Sequence, residues 1–320
     1  MERRSPHRIL SKEQIQACIN NLDSAPVVKD FALATSGLAN TNYIVNIVSG
    51  ETVVLRIHSN NSSKRGLKEL KLSKLLTDFN EVPKVIYFQA NEGDFSYSII
   101  EFVVGTVLAE TKFDQASLTT TYFELGALLA KLRSIKFKYP GLLNENLEIL
   151  PIKTKNTKFH RVTNFIIDCS EAPTFTERVG TNLKESIQRF IVEHDHLLYA
   201  TDGECHLVHG DFKVENIMIK PLNNKIHLSG VLDWEHARSD STYADIATLF
   251  RGNYDNSSIL KQAFLDGFEA DGDKLLQEWD KASKIIDLVN ICSFLCSSSQ
   301  RPILCDIMIK HLNDTIEYFK

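Results

Sequence analysis

Four polar residues in the second half of the chain have side chains and spacing suited to chemistry on a hydroxyl group. His209, Asp211 and Asn216 share one short polar loop between two apolar runs, and Asp233 ends the next apolar run. A carboxylate can accept the proton of an attacking hydroxyl, and Mg²⁺ prefers carboxylate and carbonyl oxygens as ligands. We therefore predict that Asp211 is the catalytic base and that Asn216 and Asp233 bind Mg²⁺. His209 can also act as a base, but its place at a strand end favours a scaffold role.

A glycine-containing loop near the start of the chain is a candidate phosphate grip. Gly37 lies between two strand-like runs and is followed by the polar residues Asn40 and Thr41. Backbone N–H groups in such a loop can fold over phosphate oxygens. A plain hairpin turn explains the same residues, so the loop alone decides nothing.

Arg56 is a cation within an otherwise apolar strand-like run, Val53–Ile57. A charge at a sheet face costs free energy unless it is paired, and Glu69 on the following helical stretch is the natural partner. A guanidinium held in this way can contact phosphates. The alternative is an arginine on the exposed face of an edge strand.

The elements that must position these residues change in kind along the chain. Ser11 and Gln14 form the pattern of a helix capping box, and β-branched runs then predict a three-stranded meander. The remaining predicted elements are a helix over 63–79, a hairpin of 85–88 with 97–104, helices over 116–135, 158–169 and 174–199, short strands within 206–234, and four helical stretches within 242–319. Residues 142–157 are predicted to be irregular.

This order of elements predicts an α+β protein with two parts. Residues 1–100 are expected to form a nucleotide-binding lobe with an antiparallel sheet and one helix, and residues 101–105 a hinge. Residues 106–320 are expected to form a mainly helical catalytic and substrate lobe.

Charge and composition narrow the class of partner. The formal net charge is −5, and residues 201–320 hold 19 acidic against 12 basic side chains. A nucleic-acid surface needs a basic face, so we expect no nucleic-acid partner, whereas a cationic small molecule is compatible with this charge. No apolar run reaches the ~20 residues of a membrane span, and no secretory signal opens the chain. We expect a cytoplasmic protein with six reduced cysteines.

The loop from His209 to Asn216, followed by Gly230–Glu235, resembles the signature of the aminoglycoside phosphotransferase and choline kinase family. These are small-molecule kinases with a bilobal, protein-kinase-like fold. The resemblance implies ATP or GTP as phosphoryl donor, with Mg²⁺, and adenine contacts from the hinge residues Glu101, Phe102 and Val103. It also implies that Arg56, where many kinases have lysine, contacts phosphates. Asp245 then fixes the catalytic loop without reacting.

The acceptor is expected to be a small hydroxylated molecule. Only about nine residues separate Asp233 from the next helical pattern near Thr242, which leaves no room for the activation segment that presents protein substrates in protein kinases. An aminoglycoside or related antibiotic, with Glu235 contacting a cationic substrate, is the leading hypothesis. A metabolic kinase of choline, ethanolamine, homoserine or a sugar derivative is the alternative, and a non-catalytic nucleotide-binding regulator is a third. A monomer or a homodimer is equally compatible with the sequence.

Overall fold

The computed structural model describes residues 6–34, 40–59, 63–90, 95–151, 155, 158–201, 203–251, 257–298 and 301–320. The chain forms two compact units, the first of residues 1–112, 143–150 and 214–236, and the second of residues 113–142, 151–213 and 237–320. The segments 143–150 and 214–236 thus lie in the same unit as the N-terminal sheet, although the sequence placed them in the C-terminal lobe. The predicted lobe boundaries around 101–105 stay a prediction.

Nine helices and twelve strands are formed by the described residues. The helices are α1 (Lys12–Ile19), α2 (Ser63–Leu75), α3 (Thr119–Leu132), α4 (Arg161–Ser170), α5 (Pro173–Glu193), α6 (Tyr243–Leu249), α7 (Ser258–Phe268), α8 (Trp279–Cys296) and α9 (Pro302–Tyr318). The strands are β1 (Val28–Ala34), β2 (Thr41–Ile47), β3 (Thr52–Ile57), β4 (Val85–Gln89), β5 (Tyr97–Glu101), β6 (Thr106–Val107), β7 (Gly141–Leu143), β8 (Ile149–Pro151), β9 (His206–Val208), β10 (Ile217–Leu222), β11 (Lys225–Val231) and β12 (Arg238–Asp240).

The first unit is built on a five-stranded antiparallel sheet in the order β1-β2-β3-β5-β4. Side chains of β2 and β3 alternate between buried and half-buried positions, as expected where one face of a sheet covers a core. Tyr43, Val45 and Leu55 pack in that core against α1, whose predicted capping box at Ser11 and Gln14 is present. The predicted meander and the hairpin of β4 with β5 are confirmed.

The segment 214–236 joins the first unit through backbone pairing. Strand β10 lies between β11 and β6 in a three-stranded sheet. The N–H of Val231 donates to the carbonyl of Glu81 at 2.7 Å, and the N–H of Leu232 donates to the carbonyl of Asn216 at 2.8 Å. Because these bonds fix both ends of the segment, Asn216 and Asp233 are held close to each other in the same unit as Arg56.

The second unit is mainly helical, with one small sheet in which β12 pairs antiparallel with β7 and with β9. The prediction that residues 142–157 are irregular was therefore wrong in part, because β7 and β8 occupy positions in the first ten residues of that range. Strand β12, one of the two pairing partners of β7, lies almost a hundred residues further along the chain, so local sequence does not indicate that pairing. The four helices predicted within 242–319 are confirmed as α6 to α9.

Helices α3 and α7 approach closely at two glycines. A Cβ at Gly126 would overlap the carbonyl oxygen of Phe264, and one at Gly267 would overlap the carbonyl oxygen of Phe123. Backbone atoms cannot move aside as a flexible side chain can. We expect Gly267→Ala to lower the free energy of unfolding by about 3 kcal/mol through overpacking, measured by urea denaturation.

Gln262→Ala, at an exposed position of α7, is the matched control. It is expected to change the free energy of unfolding by less than about 0.5 kcal/mol. Equal effects of the two substitutions would contradict the close crossing of α3 and α7.

The structure also bears on the predictions about membrane spans and cysteines. Within the described ranges, no helix combines the length and apolar character needed to cross a membrane. All six cysteines lie in described parts of the chain, and each is a free thiol.

Candidate active site

Arg56 of β3 is the centre of a buried ion-pair cluster in the first unit. Its Nη1 lies 2.9 Å from Oε1 of Glu69 on α2 and 3.3 Å from Oδ1 of Asp233. Its Nε donates to Oδ1 of Asn42 at 3.3 Å. The pairing of Arg56 with Glu69 that the sequence predicted is confirmed, and the same cation also reaches the predicted metal ligand Asp233.

Burial alone would lower the pKa of the Arg56 guanidinium, but the carboxylates of Glu69, Asp233 and Glu235 raise it above its ordinary value. Arg56 therefore stays charged. Burial raises the pKa of Glu69, although Arg56 opposes this effect. The carboxylates of Glu69 and Asp233 would repel each other without the cation of Arg56. Because the guanidinium pairs with both, its position is fixed.

Asp233 has an unusual backbone conformation, with φ of +71°. This left-handed region costs free energy for a residue with a Cβ, although aspartate tolerates it better than most residues. Such strain persists where the surrounding structure requires it, and it is typical of functional positions. The conformation leaves the Asp233 side chain 35% exposed beside Arg56.

A cavity of about 230 Å³ opens in the first unit beside this cluster. Arg56, Glu69 and Asp233 form its polar end, and the predicted hinge residues also line it. The apolar part of its wall consists of Ile44, Val54, Val82, Val85, Ile100, Val107, Met218 and Leu232. An apolar slot with convergent charged groups is typical of small-molecule sites. Its apolar wall suits a flat base, and its charged groups suit phosphates.

The predicted hinge residues Glu101, Phe102 and Val103 are among those that line this cavity. The backbone N–H of Glu101 donates to the carbonyl of Lys84 at 2.9 Å. The Glu101 carboxylate accepts from the N–H of Lys84 at 3.2 Å. The Glu101 side chain is thus occupied in holding the strand ends together, and adenine recognition by this segment stays a prediction.

The predicted phosphate loop is only partly described. Gly37 lies outside the described residues. The Asn40 side chain accepts from the N–H of Ser59 at 3.2 Å, and the Thr41 hydroxyl accepts from the N–H of Arg8 at 3.0 Å. Both side chains are buried and support the local backbone, so their contact with phosphates stays a prediction.

Glu235, the predicted substrate contact, is buried, with its side chain 7% exposed. Its Oε1 lies 3.3 Å from Nη1 of Arg65 and 3.2 Å from Nε2 of His236. Burial would raise the pKa of Glu235, but His236, Arg65 and Arg56 lower it to about 2. The carboxylate is thus ionised and neutralised by neighbouring cations, and its role in substrate binding stays a prediction.

The donor set of Asn216 and Asp233 fits Mg²⁺. In the described portion of the chain, no three acidic, histidine or cysteine side chains gather into a metal site. Mg²⁺ does not need such a cage, because it is usually held by one or two carboxylates, with water and phosphate oxygens completing the shell. The partly exposed Asp233 carboxylate lines the cavity, and the backbone bond from Leu232 to Asn216 holds the backbones of these segments together. Binding of Mg²⁺ by Asn216 and Asp233 stays a prediction.

The loop that carries Asp211 lies in the second unit and is held by a buried aspartate. Oδ2 and Oδ1 of Asp245 on α6 accept from the N–H of His209 at 2.7 Å and of Gly210 at 2.8 Å. Nδ1 of the fully buried His209 accepts from the N–H of Asp211 at 3.2 Å. His209 therefore acts as a scaffold for the loop, and Asp245 ties the loop to α6.

Lys213 accompanies Asp211, and its importance was missed in the sequence. Its Nζ lies 2.9 Å from Oδ2 of Asp211, whose side chain is 25% exposed. An ammonium group at this distance forms an ion pair that restricts the position of the carboxylate. The only available signal was the position of Lys213, two residues after Asp211 within the polar loop.

Burial raises the pKa of Asp245 to about 6, although hydrogen bonds from Gly210 and His209 lower it. The folded protein therefore binds this proton more tightly than the unfolded chain does. The stabilising contribution is complete below the unfolded value of about 3.9 and is lost as the pH rises through about 6. The attachment of the loop to α6 is expected to depend on pH in the opposite direction. It should weaken as the pH falls, because protonation of Asp245 weakens one of the two hydrogen bonds that it accepts from His209 and Gly210.

We expect Asp245→Asn to remove this dependence. From pH 4 to pH 7, the free energy of unfolding of the unmodified protein should decrease by on the order of 3 kcal/mol more than that of the variant. Urea titrations of both proteins at both pH values measure this difference. The exposed Asp271→Asn is the control, and parallel pH profiles for the protein and Asp245→Asn would contradict the expectation.

A family model described as the phosphotransferase enzyme family matches residues 30–284. No curated protein sequence matches the chain.

Solved structures with the same fold cover nearly the whole chain. Aminoglycoside phosphotransferase APH(4)-Ia is 15% identical, with 96% of this chain and 99% of that chain covered and a TM-score of 0.69. Choline kinase LicA from Streptococcus pneumoniae is 16% identical, with 96% and 99% covered and a TM-score of 0.64. The complex of APH(2")-IIia with GDP and kanamycin is 16% identical, with 95% and 99% covered and a TM-score of 0.64. The predicted protein-kinase-like α+β fold is confirmed.

Proposed function

Because the chain belongs to the phosphotransferase enzyme family, we propose that it transfers the γ-phosphoryl group of ATP to a hydroxyl group of a small molecule. The observation that carries the proposal is the cluster of Arg56, Glu69 and Asp233 at the polar end of an apolar cavity. A nucleoside triphosphate needs both parts, an apolar slot for its base and fixed charges for its phosphates.

In this proposal, Arg56 contacts phosphate oxygens while Glu69 holds its guanidinium in place. Asn216 and Asp233 hold Mg²⁺, which neutralises phosphate charge when bound. The apolar wall from Ile44 to Leu232 encloses the base and excludes water from it.

Asp211 orients the acceptor hydroxyl and takes its proton. The acceptor oxygen forms a bond to the γ-phosphorus while the bond from that phosphorus to the β–γ bridging oxygen breaks, and ADP leaves. The proton on Asp211 then passes to solvent. Lys213, 2.9 Å from the Asp211 carboxylate, holds that carboxylate in position.

Two acceptor classes have support from the names of structural neighbours. The complex with GDP and kanamycin, and a ternary complex of an APH(4)-Ia mutant with AMP-PNP and hygromycin B, contain aminoglycosides. Choline kinase LicA represents the metabolic class. An antibiotic kinase should also raise drug tolerance when expressed in a sensitive host, which a metabolic kinase should not do.

The test is Mg²⁺-dependent formation of ADP, measured with ATP and with GTP against a panel of kanamycin, hygromycin B, choline, ethanolamine, homoserine and sugars. At least one acceptor should raise the rate of ADP formation well above the rate without acceptor, with a phosphorylated product visible by mass spectrometry. Failure to bind either nucleotide with Mg²⁺ in calorimetry would overturn the proposal.

A further inference from the structure

A second cavity, of about 350 Å³, lies wholly within the second unit. It is enclosed by α4, α8, and the strands β7 and β12. Two arginines, Arg161 on α4 and Arg238 on β12, share its wall with the carboxylate of Asp240.

The charges on this wall do not balance. Nη2 of Arg161 lies 2.7 Å from Oδ1 of Asp240, and Nε of Arg238 lies 3.0 Å from Oδ2 of the same carboxylate. Although burial raises the pKa of Asp240, Arg238 and Arg161 lower it below its ordinary value, so the carboxylate stays ionised. The charged lining residues are thus one anion and two permanent cations, with a net charge of +1; outside the lining, the carboxyl group of Asp245 also interacts with Arg238.

Both guanidinium groups keep donors for a ligand. A guanidinium carries five N–H donors. Among the described residues, Arg161 uses one nitrogen towards Asp240, and Arg238 uses Nε towards Asp240 and Nη1 towards the carbonyl of Gly210 at 3.4 Å. Arg161 remains 35% exposed, so its remaining donors can reach a molecule in the cavity.

The cavity is connected to the catalytic loop through β12. This strand pairs with β9, which leads directly into His209, Gly210 and Asp211. The bond from Arg238 to the carbonyl of Gly210 ties the same arginine to the backbone beside the proposed catalytic base. A molecule seated on the two arginines thus contacts a group that also holds the loop.

The rest of the wall suits a small carbon skeleton. Its apolar members are Leu142, Val162, Phe165, Ile286 and Val289, with Ser239 and Asn290 as polar points. A volume of about 350 Å³ lies at the lower end of the range for small-molecule sites.

We propose that the acceptor is a hydroxylated organic anion, whose carboxylate or phosphate group binds Arg161 and Arg238 in this cavity. The inference rests on the proposed function, and within it favours a metabolic hydroxy acid over a polycationic antibiotic. Paired guanidinium groups recognise planar carboxylates and phosphates through two parallel hydrogen bonds, whereas a polycation would meet a net positive wall.

The experiment measures binding and transfer separately on the full chain. The anionic probes are 4-hydroxybutanoate and glucose 6-phosphate, which distinguish carboxylate from phosphate, and the zwitterion homoserine is a second carboxylate probe. Their counterparts without the anionic group are methyl 4-hydroxybutanoate, glucose and homoserine methyl ester, and choline and kanamycin are the cationic probes. Binding is followed by ligand-observed NMR with ADP and Mg²⁺ present, and transfer by ADP release with ATP. At least one probe with a carboxylate or phosphate should bind at least tenfold more tightly than the counterpart that lacks this group.

Arg161→Met should weaken binding of that probe at least tenfold and raise its KM more than it lowers kcat, and Arg161→Lys should restore part of the affinity. Arg189→Met, at an exposed position of α5, should leave both unchanged. If no anionic probe binds, or if choline or kanamycin is phosphorylated with no effect of Arg161→Met, the inference is overturned and the kinase function stands. Arg161-dependent binding without transfer to any probe supports the anion site and counts against the kinase function.

Discussion

Asp211→Asn is expected to lower kcat by about 10²–10⁴-fold, the contribution typical of a positioned general base. Asparagine keeps the size and the hydrogen-bonding capacity of the side chain but cannot accept the hydroxyl proton. Steady-state ADP release with the best acceptor of the panel measures the change. Affinity for ATP with Mg²⁺, measured by calorimetry, is expected to stay within about twofold, since Asp211 does not line the cavity beside Arg56 that we propose for the nucleotide.

Lys213→Met separates the base from its neighbour. This variant keeps the Asp211 carboxylate and removes only the ammonium group 2.9 Å away. We expect a smaller loss of kcat than for Asp211→Asn, and little loss of stability, because the pair is partly exposed and such pairs contribute about 0–1 kcal/mol. An unchanged kcat in Asp211→Asn would exclude Asp211 as the base.

Arg56→Met is expected to have the largest effect on stability. It removes the cation between Glu69 and Asp233 and leaves a buried carboxylate without compensation. Removing one partner of a buried ion pair costs about 3–5 kcal/mol. Urea denaturation should show this loss, and the affinity for ATP should fall because the contact with phosphates is gone.

A double substitution distinguishes the structural role of Arg56 from its role in binding. Arg56→Met with Glu69→Met replaces the pair by apolar side chains of similar volume, a change that is often neutral for stability. The double variant should be more stable than Arg56→Met alone and should still bind ATP poorly. Recovery of both properties would contradict a phosphate contact by Arg56.

Arg65→Met is the matched control for this cycle. Arg65 also pairs with a buried carboxylate, Glu235, but its own side chain is 47% exposed. Water and salt screen such a pair, so a loss below about 1 kcal/mol is expected. A loss as large as that of Arg56→Met would show that the buried carboxylates, and not the position of Arg56, determine the cost.

Local patterns predicted those parts of the fold whose partners are close in sequence. The capping box at Ser11 and the strands of the meander depend on residues within a few positions of each other. The pairing of Arg56 with Glu69 spans only 13 residues and a single strand-to-helix connection. In each case, one apolar face and one short connection leave few alternative arrangements.

Contacts between distant residues could not be predicted in the same way. Arg65 and Glu235 are 170 residues apart, and Arg161 and Asp240 are 79 apart. Each of these arginines looks like an ordinary surface cation in the sequence. Their partners become evident only when two strand pairings are known, that of β10 with β6, which joins 214–236 to the first unit, and that of β12 with β9.

The left-handed backbone of Asp233 sets thermostability against activity. Glycine adopts this conformation freely, so the free energy of unfolding of Asp233→Gly should exceed that of Asp233→Ala by about 1 kcal/mol, and its melting temperature should be higher. Both variants lack the carboxylate, so both should lose Mg²⁺-dependent turnover. Among substitutions that remove the carboxylate, selection for heat resistance alone would therefore favour glycine over alanine at this position, although neither variant should turn over. A screen for stabilised variants of this protein therefore needs turnover as a second criterion. A higher melting temperature for Asp233→Ala than for Asp233→Gly would contradict this expectation.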